Sequence, residues 1–482
     1  MRTTDARPHP PSFGTKLAYG FGMVASGVAD NGLSFFLLIF YSQVIGVDAR
    51  LVGIALTVAL MFDAFVDPVV GYWSDNLRSK WGRRHPFLYA SAIPAAAAFW
   101  LLWNPPAGWS DQALFGYLLV VAVAVRTMIS FFETPGAALA AELTDDYDQR
   151  SSLLAYRYYF AWTGGNAMSV LMFAVIFPMF ATAAIANGQF NRESYALYGW
   201  ITSLLIFVAV LTSALGTHSR ISHLKPPPPK REMTLGRAFK EVFETLANRS
   251  FAALFLSAMF GAIGNGLAAA LTFYFLTYFW GFTGPQTLMI VLGTFISAVL
   301  GSLLAPVATR LLGKKRAAMS IGLLAVLGSP LGVVLKLFGW MPDDPQFVFW
   351  FVFIGGVIDV GLIVCFQILF ASMIADLVEQ SELKTGRRSE GLFFSASTFI
   401  RKLVQGLGVI AAGLVLWLAR FPTGAEPSEV SDEAIWRLGA YYVPVLLLVW
   451  LAMVLVISTY KLDRRSHEEN LRKLAARGTQ ET

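Results

Sequence analysis

Repeated apolar runs are the feature that most constrains this chain. Stretches of about 20 apolar residues, each long enough to cross roughly 30 Å of hydrocarbon as a helix, recur along the whole sequence. Of the 482 residues, 56% are hydrophobic and only 14% are charged. A soluble domain of this length could not bury so much apolar surface. The sequence therefore predicts an all-α protein whose main solvent is a lipid bilayer.

Glycine, proline and charged residues interrupt the apolar runs and divide the chain into about twelve predicted membrane helices. The first six are expected near residues 17–45, 51–73, 86–103, 114–141, 152–181 and 195–216. The second six are expected near residues 251–280, 285–308, 317–340, 347–374, 391–418 and 440–460. A polar linker at 217–250 is expected to separate an N-terminal six-helix bundle, 17–216, from a C-terminal one, 251–460, with tails at 1–16 and 461–482.

Basic residues cluster in the loops on one face of the predicted helices, including Arg78, Lys80, Arg310 and Lys384. Loops on the other face, such as 104–112, are almost free of Lys and Arg. The positive-inside rule makes the basic face cytoplasmic. Both termini are therefore expected in the cytoplasm, in a bacterial-type inner membrane. The net charge of +6 is explained as an orientation signal, and no nucleic-acid partner is expected.

A weak internal repeat supports two related halves. After the fourth predicted helix the chain reads Ala-Glu-Leu at 141–143, then acidic residues, then Arg150 and Ser151. After the tenth it reads Ala-Asp-Leu at 375–377, then acidic residues, then Arg388 and Ser389. Such a repeat predicts the major-facilitator fold, with twelve transmembrane helices in two six-helix bundles around a central cavity.

Several other classes of protein are not expected. The only cysteine, Cys365, lies in an apolar run, so no intramolecular disulfide can form. The start of the chain lacks the apolar core of a cleavable signal peptide. The loops carry no nucleotide-binding glycine motif, metal cluster or nucleophile constellation. The sequence thus predicts a transporter that is not an enzyme and that has no cofactor.

Asp63 and Asp67 are the most informative charged residues inside the predicted helices. A charge at the centre of a lone membrane helix costs about 2.5–17 kcal/mol by different measures, so it needs a partner or water. Four residues apart, both carboxylates point the same way, one helical turn apart. They repel unless a proton or another cation neutralises them, which predicts a cation site. The alternative is that each carboxylate pairs with a basic residue of a neighbouring helix.

Lys402 lies in the eleventh predicted helix, in the other half of the chain. A lysine that reaches Asp63 and Asp67 would link the halves when no cation is bound, and cation binding would release the link. The alternative is that Lys402 extends its ammonium group to the cytoplasmic interface.

Polar and aromatic residues in the predicted helices suggest a site for a hydroxylated solute. Glu133 and Arg157 could form directional hydrogen bonds to sugar hydroxyls, although a structural salt bridge, with Arg126 nearby, is the alternative. Further candidates for solute contact are Tyr156, Trp162, Asp30 and Asn265. Single aromatic residues are weak indicators, because 14% of the chain is Phe, Trp or Tyr.

Four segments together resemble the glycoside–pentoside–hexuronide:cation symporters, a family that includes melibiose permease. They are residues 16–22, 63–68, 78–86 and 142–150. The resemblance runs from Lys16 to about Gly408. It implies Asp63, Asp67 and Ser130 as cation ligands, with Asp63 and Asp67 acting as metal ligands only if the coupling ion is Na⁺. It also implies Lys402 as the coupling lysine, Glu133 and Arg157 as sugar ligands, and Asp75, Arg83 and Arg84 as gating residues.

The sequence also departs from that family pattern. Melibiose permease has an asparagine directly before the second aspartate, where this chain has Val66, which offers no oxygen to a hard cation. A proton is therefore favoured over Na⁺ as the coupling ion. The aspartate of melibiose permease that binds galactoside aligns with Gly27, and a sugar-stacking tryptophan is replaced near Ala137. An α-galactoside is therefore not the expected substrate.

The sequence favours a monomeric, cation-coupled symporter of a sugar, glycoside or hexuronide. The alternative within the same fold is a symporter of lysolipids or other amphiphiles, which the phenylalanine-rich segments 351–353 and 393–394 permit. A membrane receptor or membrane enzyme is the third reading. It is disfavoured because the loops are too short to fold as a catalytic domain.

Overall fold

The computed structural model describes residues 11–144, 146–221, 249–385 and 390–460. Within these residues, twelve helices are long and apolar enough to cross a membrane, as predicted. In chain order, α1 to α12 span Phe13–Val44, Ala49–Asn76, His85–Trp103, Asp111–Ala140, Ser152–Met179, Arg192–His218, Ala252–Phe279, Gly284–Leu312, Lys314–Leu337, Pro345–Ile374, Arg401–Leu418 and Asp432–Ser458. The chain is a multi-pass membrane protein.

Five helices continue past these spans: α4 covers Asp111–Leu143, α5 begins at Tyr147, α7 begins at Arg249, α10 covers Pro345–Thr385 and α11 covers Glu390–Leu418. The start of α12 also differs from the sequence prediction, because the helix begins at Asp432 and not near residue 440. The Ser431 hydroxyl accepts a hydrogen bond from the amide of Ala434 at 3.3 Å and caps the helix. Acidic residues in the first turn stabilise a helix N-terminus. Because that turn is polar, a search for apolar runs leaves it out of the predicted helix.

Contacts divide the chain into two compact units, each described here by itself. The first comprises Met1–Arg231 with Pro422–Glu426, and the second comprises Glu232–Phe421 with Pro427–Thr482. The sequence-predicted tails and linker fall largely at 1–10, 222–248 and 461–482, which lie outside the described residues.

Within the first unit, the segment Pro422–Glu426 is bound to the end of α1 by backbone and amide contacts. The amide of Gly424 donates to the carbonyl of Ser42 at 3.0 Å. The Gln43 side chain donates to the carbonyl of Pro422 at 3.2 Å and accepts from the amide of Ala425 at 3.3 Å. Gln43 thereby uses both ends of its amide, which explains how a polar side chain is buried there.

The two units pair their helices in the same pattern. In the first unit α1 packs on α5 and α6, α2 on α4, and α3 on α4 and α6. In the second unit α7 packs on α11 and α12, α8 on α10, and α9 on α10 and α12. Adding six to each helix number converts the first pattern into the second. The structure therefore shows the internal repeat that the loop sequences indicated.

The ends of α1 and α7 repeat as well. Each finishes in a wide π-helical turn, Phe40–Val44 in α1 and Phe275–Phe279 in α7. Each is followed by a glycine with positive φ, 93° at Gly46 and 68° at Gly281. Only glycine adopts this conformation without strain, so the same turn chemistry starts α2 and α8.

Close helix crossings in both units depend on glycine. On α1, a Cβ at Gly27 would overlap the carbonyl oxygen of Ala161 on α5. On α11, a Cβ at Gly408 would overlap the carbonyl oxygen of Ile263 on α7. Membrane helices gain packing energy where small residues let their backbones approach. In both of the equivalent pairs, α1–α5 and α7–α11, a glycine therefore allows the two backbones to approach closely.

The second unit contains a broken helix and a buried cysteine. Helix α9 is interrupted at Ser329 and Pro330, between Lys314–Gly328 and Leu331–Leu337. Cys365 on α10 has no exposed surface and packs in an apolar core with Leu369 and Met373.

We predict that Gly27→Ala destabilises the protein, because the added methyl group must displace the α5 backbone. Overpacking of this kind costs about 1–3 kcal/mol. The thermal unfolding temperature of the purified protein measures the effect. Gly116→Ala on α4 is the matched control, since a Cβ there meets nothing within 4 Å. Equal unfolding temperatures for the two variants would contradict the proposed role of the crossing.

Candidate functional site

Two carboxylates of α2 face two hydroxyls of α4. The Ser130 hydroxyl donates to Oδ1 of Asp63 at 2.5 Å. One turn further along both helices, the Thr134 hydroxyl donates to Oδ1 of Asp67 at 3.0 Å. Asp63 and Ser130 are 2% and 1% exposed, so this part of the site is shielded from solvent. We call these four residues the acid–hydroxyl ladder.

The ladder follows from matched spacing on the two packed helices. Asp63 and Asp67 are four residues apart on α2, and Ser130 and Thr134 are four residues apart on α4. Residues at this spacing share one helix face, so α2 and α4 present their polar pairs at the same heights. Thr134 was absent from the sequence-predicted site. The signal that could have identified it is its position one turn after Ser130.

Arg126 lies on α4, one turn before Ser130, and its guanidinium forms an ion pair with Asp30 of α1 at 2.6 Å. The Arg126 side chain is 11% exposed and that of Asp30 is 59% exposed. The charges of Asp63 and Glu133 also act on Arg126. One buried cation is therefore shared by three carboxylates from three helices. The sequence had grouped Arg126 with Glu133 and Arg157, and the Asp30 pair was not predicted.

Arg157 lies in the interior of the first unit, with only 7% of its surface exposed. It donates to the Tyr19 hydroxyl at 3.4 Å, and its guanidinium carbon lies 5.5 Å from the centre of the Tyr19 ring. Tyr19 in turn donates to the carbonyl of Gly136 on α4 at 2.8 Å. These contacts fix Arg157 between α1 and α4.

Tyr156 and Trp162 are the remaining candidate solute residues of the first unit. Tyr156 packs edge-on against Phe13, with ring centres 6.4 Å apart. Trp162 is 40% exposed, on a different face of α5 from Arg157. Asn265 on α7 is exposed and Lys402 on α11 is half-buried, and both belong to the second unit.

The sequence-predicted gating residues meet at one end of α2 and α4. Arg84 donates to Glu142 at 2.9 Å and to the Ser74 hydroxyl at 2.6 Å, and it also pairs with Asp75. Arg83 pairs with the same Glu142 oxygen at 2.8 Å. Glu142 was not among the sequence-predicted gating residues, and it is the acceptor that both arginines share. Bonds between ionised groups are the stronger kind, so the cluster ties the two helix ends together.

No group of three or more His, Cys, Asp or Glu side chains suited to a metal ion occurs in the part of the chain that the structure describes. The acid–hydroxyl ladder instead offers two carboxylates and two hydroxyls. These oxygens can hold a proton, or a small cation with further oxygen ligands.

The chain is similar to known transporters along most of its length. The putative glycoside/cation symporter YagG of Escherichia coli is 24% identical, over 95% of this chain and 94% of its own length. The isoprimeverose transporter of Lactiplantibacillus pentosus is 24% identical, over 93% and 88%. A glucuronide carrier protein homolog of Escherichia coli is 25% identical, over 85% and 84%.

The fold is also that of solved transporters. The crystal structure of a D-xylose–proton symporter matches 91% of this chain and 97% of its own, with a TM-score of 0.58 and 15% sequence identity. The family model described as MFS/sugar transport protein matches residues 18–464. The chain therefore belongs to the MFS/sugar transport protein family, has the major-facilitator fold, and is of the glycoside–pentoside–hexuronide:cation symporter type that its sequence motifs resemble.

Proposed function

We propose that this protein is a secondary active transporter that carries a sugar, glycoside or hexuronide together with a cation by alternating access. The observation that carries the proposal is the acid–hydroxyl ladder. Two carboxylates within a membrane bundle, each held by a hydroxyl, require neutralisation by a mobile cation or by a fixed one. Ionisable groups at such depth are kept where ions or protons move. The relatives described as symporters support the same reading.

The coupling ion is a proton in this proposal. The residue directly before the second carboxylate is Val66, which adds no oxygen ligand for a hard metal cation such as Na⁺. A proton needs one carboxylate oxygen and a hydrogen-bond partner, which Ser130 or Thr134 provides.

Arg126 links the cation site to the solute in this mechanism. Before a proton binds, Arg126 compensates the ionised Asp63 together with Asp30 and Glu133. A proton on Asp63 removes one of these negative charges. The guanidinium then becomes a stronger donor to the remaining carboxylates and to a solute. Asp30, with a 59% exposed side chain, is the part of this group that a solute reaches first.

The solute class follows from the chemistry of that group. A carboxylate and a guanidinium side by side donate to and accept from vicinal hydroxyls, and the guanidinium can bind the carboxylate of a hexuronide. Isoprimeverose and glucuronide in the names of two relatives fit this class. Gly27 has no room for the aspartate of melibiose permease, which supports a solute other than an α-galactoside.

The orientation in the membrane is also proposed. The basic loops, with Arg83 and Arg84 in the ion-pair cluster, lie on the cytoplasmic side by the positive-inside rule. Both termini then lie in the cytoplasm of a cell with an inner membrane. The cluster of Asp75, Arg83, Arg84 and Glu142 holds the cytoplasmic ends of α2 and α4 together while access alternates.

The experiment that tests the function is transport by the purified protein in proteoliposomes. Electrogenic current on a solid-supported membrane is recorded for neutral glycosides, pentosides, hexuronides and lysolipids, with and without Na⁺, across a range of pH. We expect a current that is evoked by a sugar, persists without Na⁺ and weakens as pH rises. A response to lysolipids with none to sugars would overturn the sugar assignment and leave the cation site in place.

We predict that Asp67→Asn abolishes uphill uptake, because the neutral amide removes the charge that the coupling cation compensates. Exchange of solute across the membrane without a gradient should persist, since the solute contacts remain. Counterflow and accumulation, measured in the same proteoliposomes, separate the two activities. Asp111→Asn, which removes an exposed carboxylate at the start of α4, is the control and should accumulate solute normally. Undiminished accumulation by Asp67→Asn would refute the role of the ladder.

We predict that Thr134→Val weakens coupling while Thr134→Ser preserves it. Valine has the shape of threonine but lacks the hydroxyl that donates to Asp67. A hydrogen bond to a charged group contributes about 1.5–3 kcal/mol, so the apparent affinity for the coupling ion should change about tenfold or more. The pH or Na⁺ dependence of the sugar-evoked current measures that affinity. Equal dependences for Val and Ser would show that the hydroxyl takes no part.

A further inference from the structure

Asp359 is a carboxylate of the second unit that the proposed transport mechanism does not use. It lies 14 residues after Pro345, about 21 Å along α10, and so deep within the membrane span. Its side chain accepts a hydrogen bond from the Ser329 side chain, and the phenol of Tyr442 on α12 is close enough to interact with its charge. The Oδ1 atom is buried and has no hydrogen-bond partner.

The interruption of α9 creates this environment. Pro330 has no amide hydrogen, so the carbonyl four residues earlier loses its helical donor and the helix breaks. Ser329 lies at the break, between the two helical parts, where its hydroxyl points to Asp359. Interrupted membrane helices are characteristic of places where transporters hold ions. Helix α9 packs directly on α10, the helix that carries Asp359. The carboxylate thus faces the break in α9.

The charged residues of α8 and α9, the two helices that pack most closely on α10, lie away from Asp359. On α8, Gly301 contacts α10 at Gly361, so Arg310 lies nine residues, or about 14 Å, beyond that contact. On α9, Lys314, Lys315 and Arg316 lie more than ten residues before Ser329. Lys336, seven residues after it, donates to the carbonyl of Phe279. On α7 the charged residue is Arg249 at its start, and on α11 they are Glu390, Arg401 and Lys402. On α12, which carries Tyr442, they are Asp432, Glu433 and Arg437, all in its first two turns. Among the described residues, no ion pair to Asp359 is present.

An ionised carboxylate in this position would be a charge in the middle of a membrane helix, with one oxygen buried and no counter-ion, which is strongly unfavourable. A bound proton removes the charge and gives the unpartnered oxygen a hydrogen to donate. A metal ion is a poor alternative, since one carboxylate and two hydroxyls fall short of the six or more oxygens that hard cations take. We propose that Asp359, with Ser329 and Tyr442, forms a proton-binding site in the second unit. This site is separate from the acid–hydroxyl ladder and does not depend on the identity of the coupling ion.

Infrared difference spectroscopy of the full-length protein in lipid nanodiscs tests the proposal directly. A protonated carboxyl group gives a C=O stretching band that an ionised one lacks. We expect a band in the Asp63→Asn/Asp67→Asn double variant, where the ladder can contribute none, and its loss when Asp359→Asn is added to that variant. Asp343→Asn, which removes an exposed loop carboxylate, is the matched control and should keep the band. The same band with and without Asp359→Asn in that double variant would overturn the proposal.

A second variant separates proton binding from a purely structural role. Ser329→Ala removes the donor to the carboxyl oxygen while leaving Asp359 in place. The band should persist and move to higher frequency, because a C=O group that loses a hydrogen bond has a stronger double bond. A structural role alone would leave the band of Ser329→Ala at the wild-type frequency. Such a result would overturn the assignment of Ser329 and Asp359 to one site.

Discussion

Compensation of charge in a low-dielectric interior is the constraint on which the first unit depends. Arg126 is the buried cation that makes this compensation work, since it pairs with Asp30 and acts on Asp63 and Glu133. The free energy of such a group depends on every partner at once. A change at one carboxylate is therefore felt by the others without any movement of the helices. The geometry provides an electrostatic connection between a solvent-accessible acid on α1 and a shielded acid on α2.

The two units have the same helix scaffold but carry different acidic side chains within it. The two units share helix pairing, glycine crossings and the turns that follow α1 and α7. Among the described residues, the acids of the two units lie at different places. The first unit holds the ladder carboxylates on α2, facing hydroxyls of α4, whereas Asp359 lies on α10, the counterpart of α4, opposite a broken α9. The shared features are those that set backbone packing, and the unshared ones are polar side chains.

Much of this architecture was predictable from the sequence, because apolar length is a direct physical requirement of a bilayer. The helix count and most boundaries followed from it, and α12 began early because its first turn is polar. Spacing and family resemblance brought Asp63 and Ser130 to one site. The Arg126–Asp30 pair was not predictable, since pairing across helices depends on the rotation of each helix about its axis. The roles of Lys402 and Asn265, and the central cavity, stay predictions.

The burial of Cys365 has a practical consequence for the energetics of the second unit. It is the only thiol of the chain, and it lies among residues of α7, α8, α9, α10 and α12. A thiol reagent can modify it only when that core opens by a local fluctuation. The rate of modification of the unaltered protein is thus an intrinsic measure of how often the core opens. Ligands that tighten the second unit would be detected as protection of a single sulfur atom.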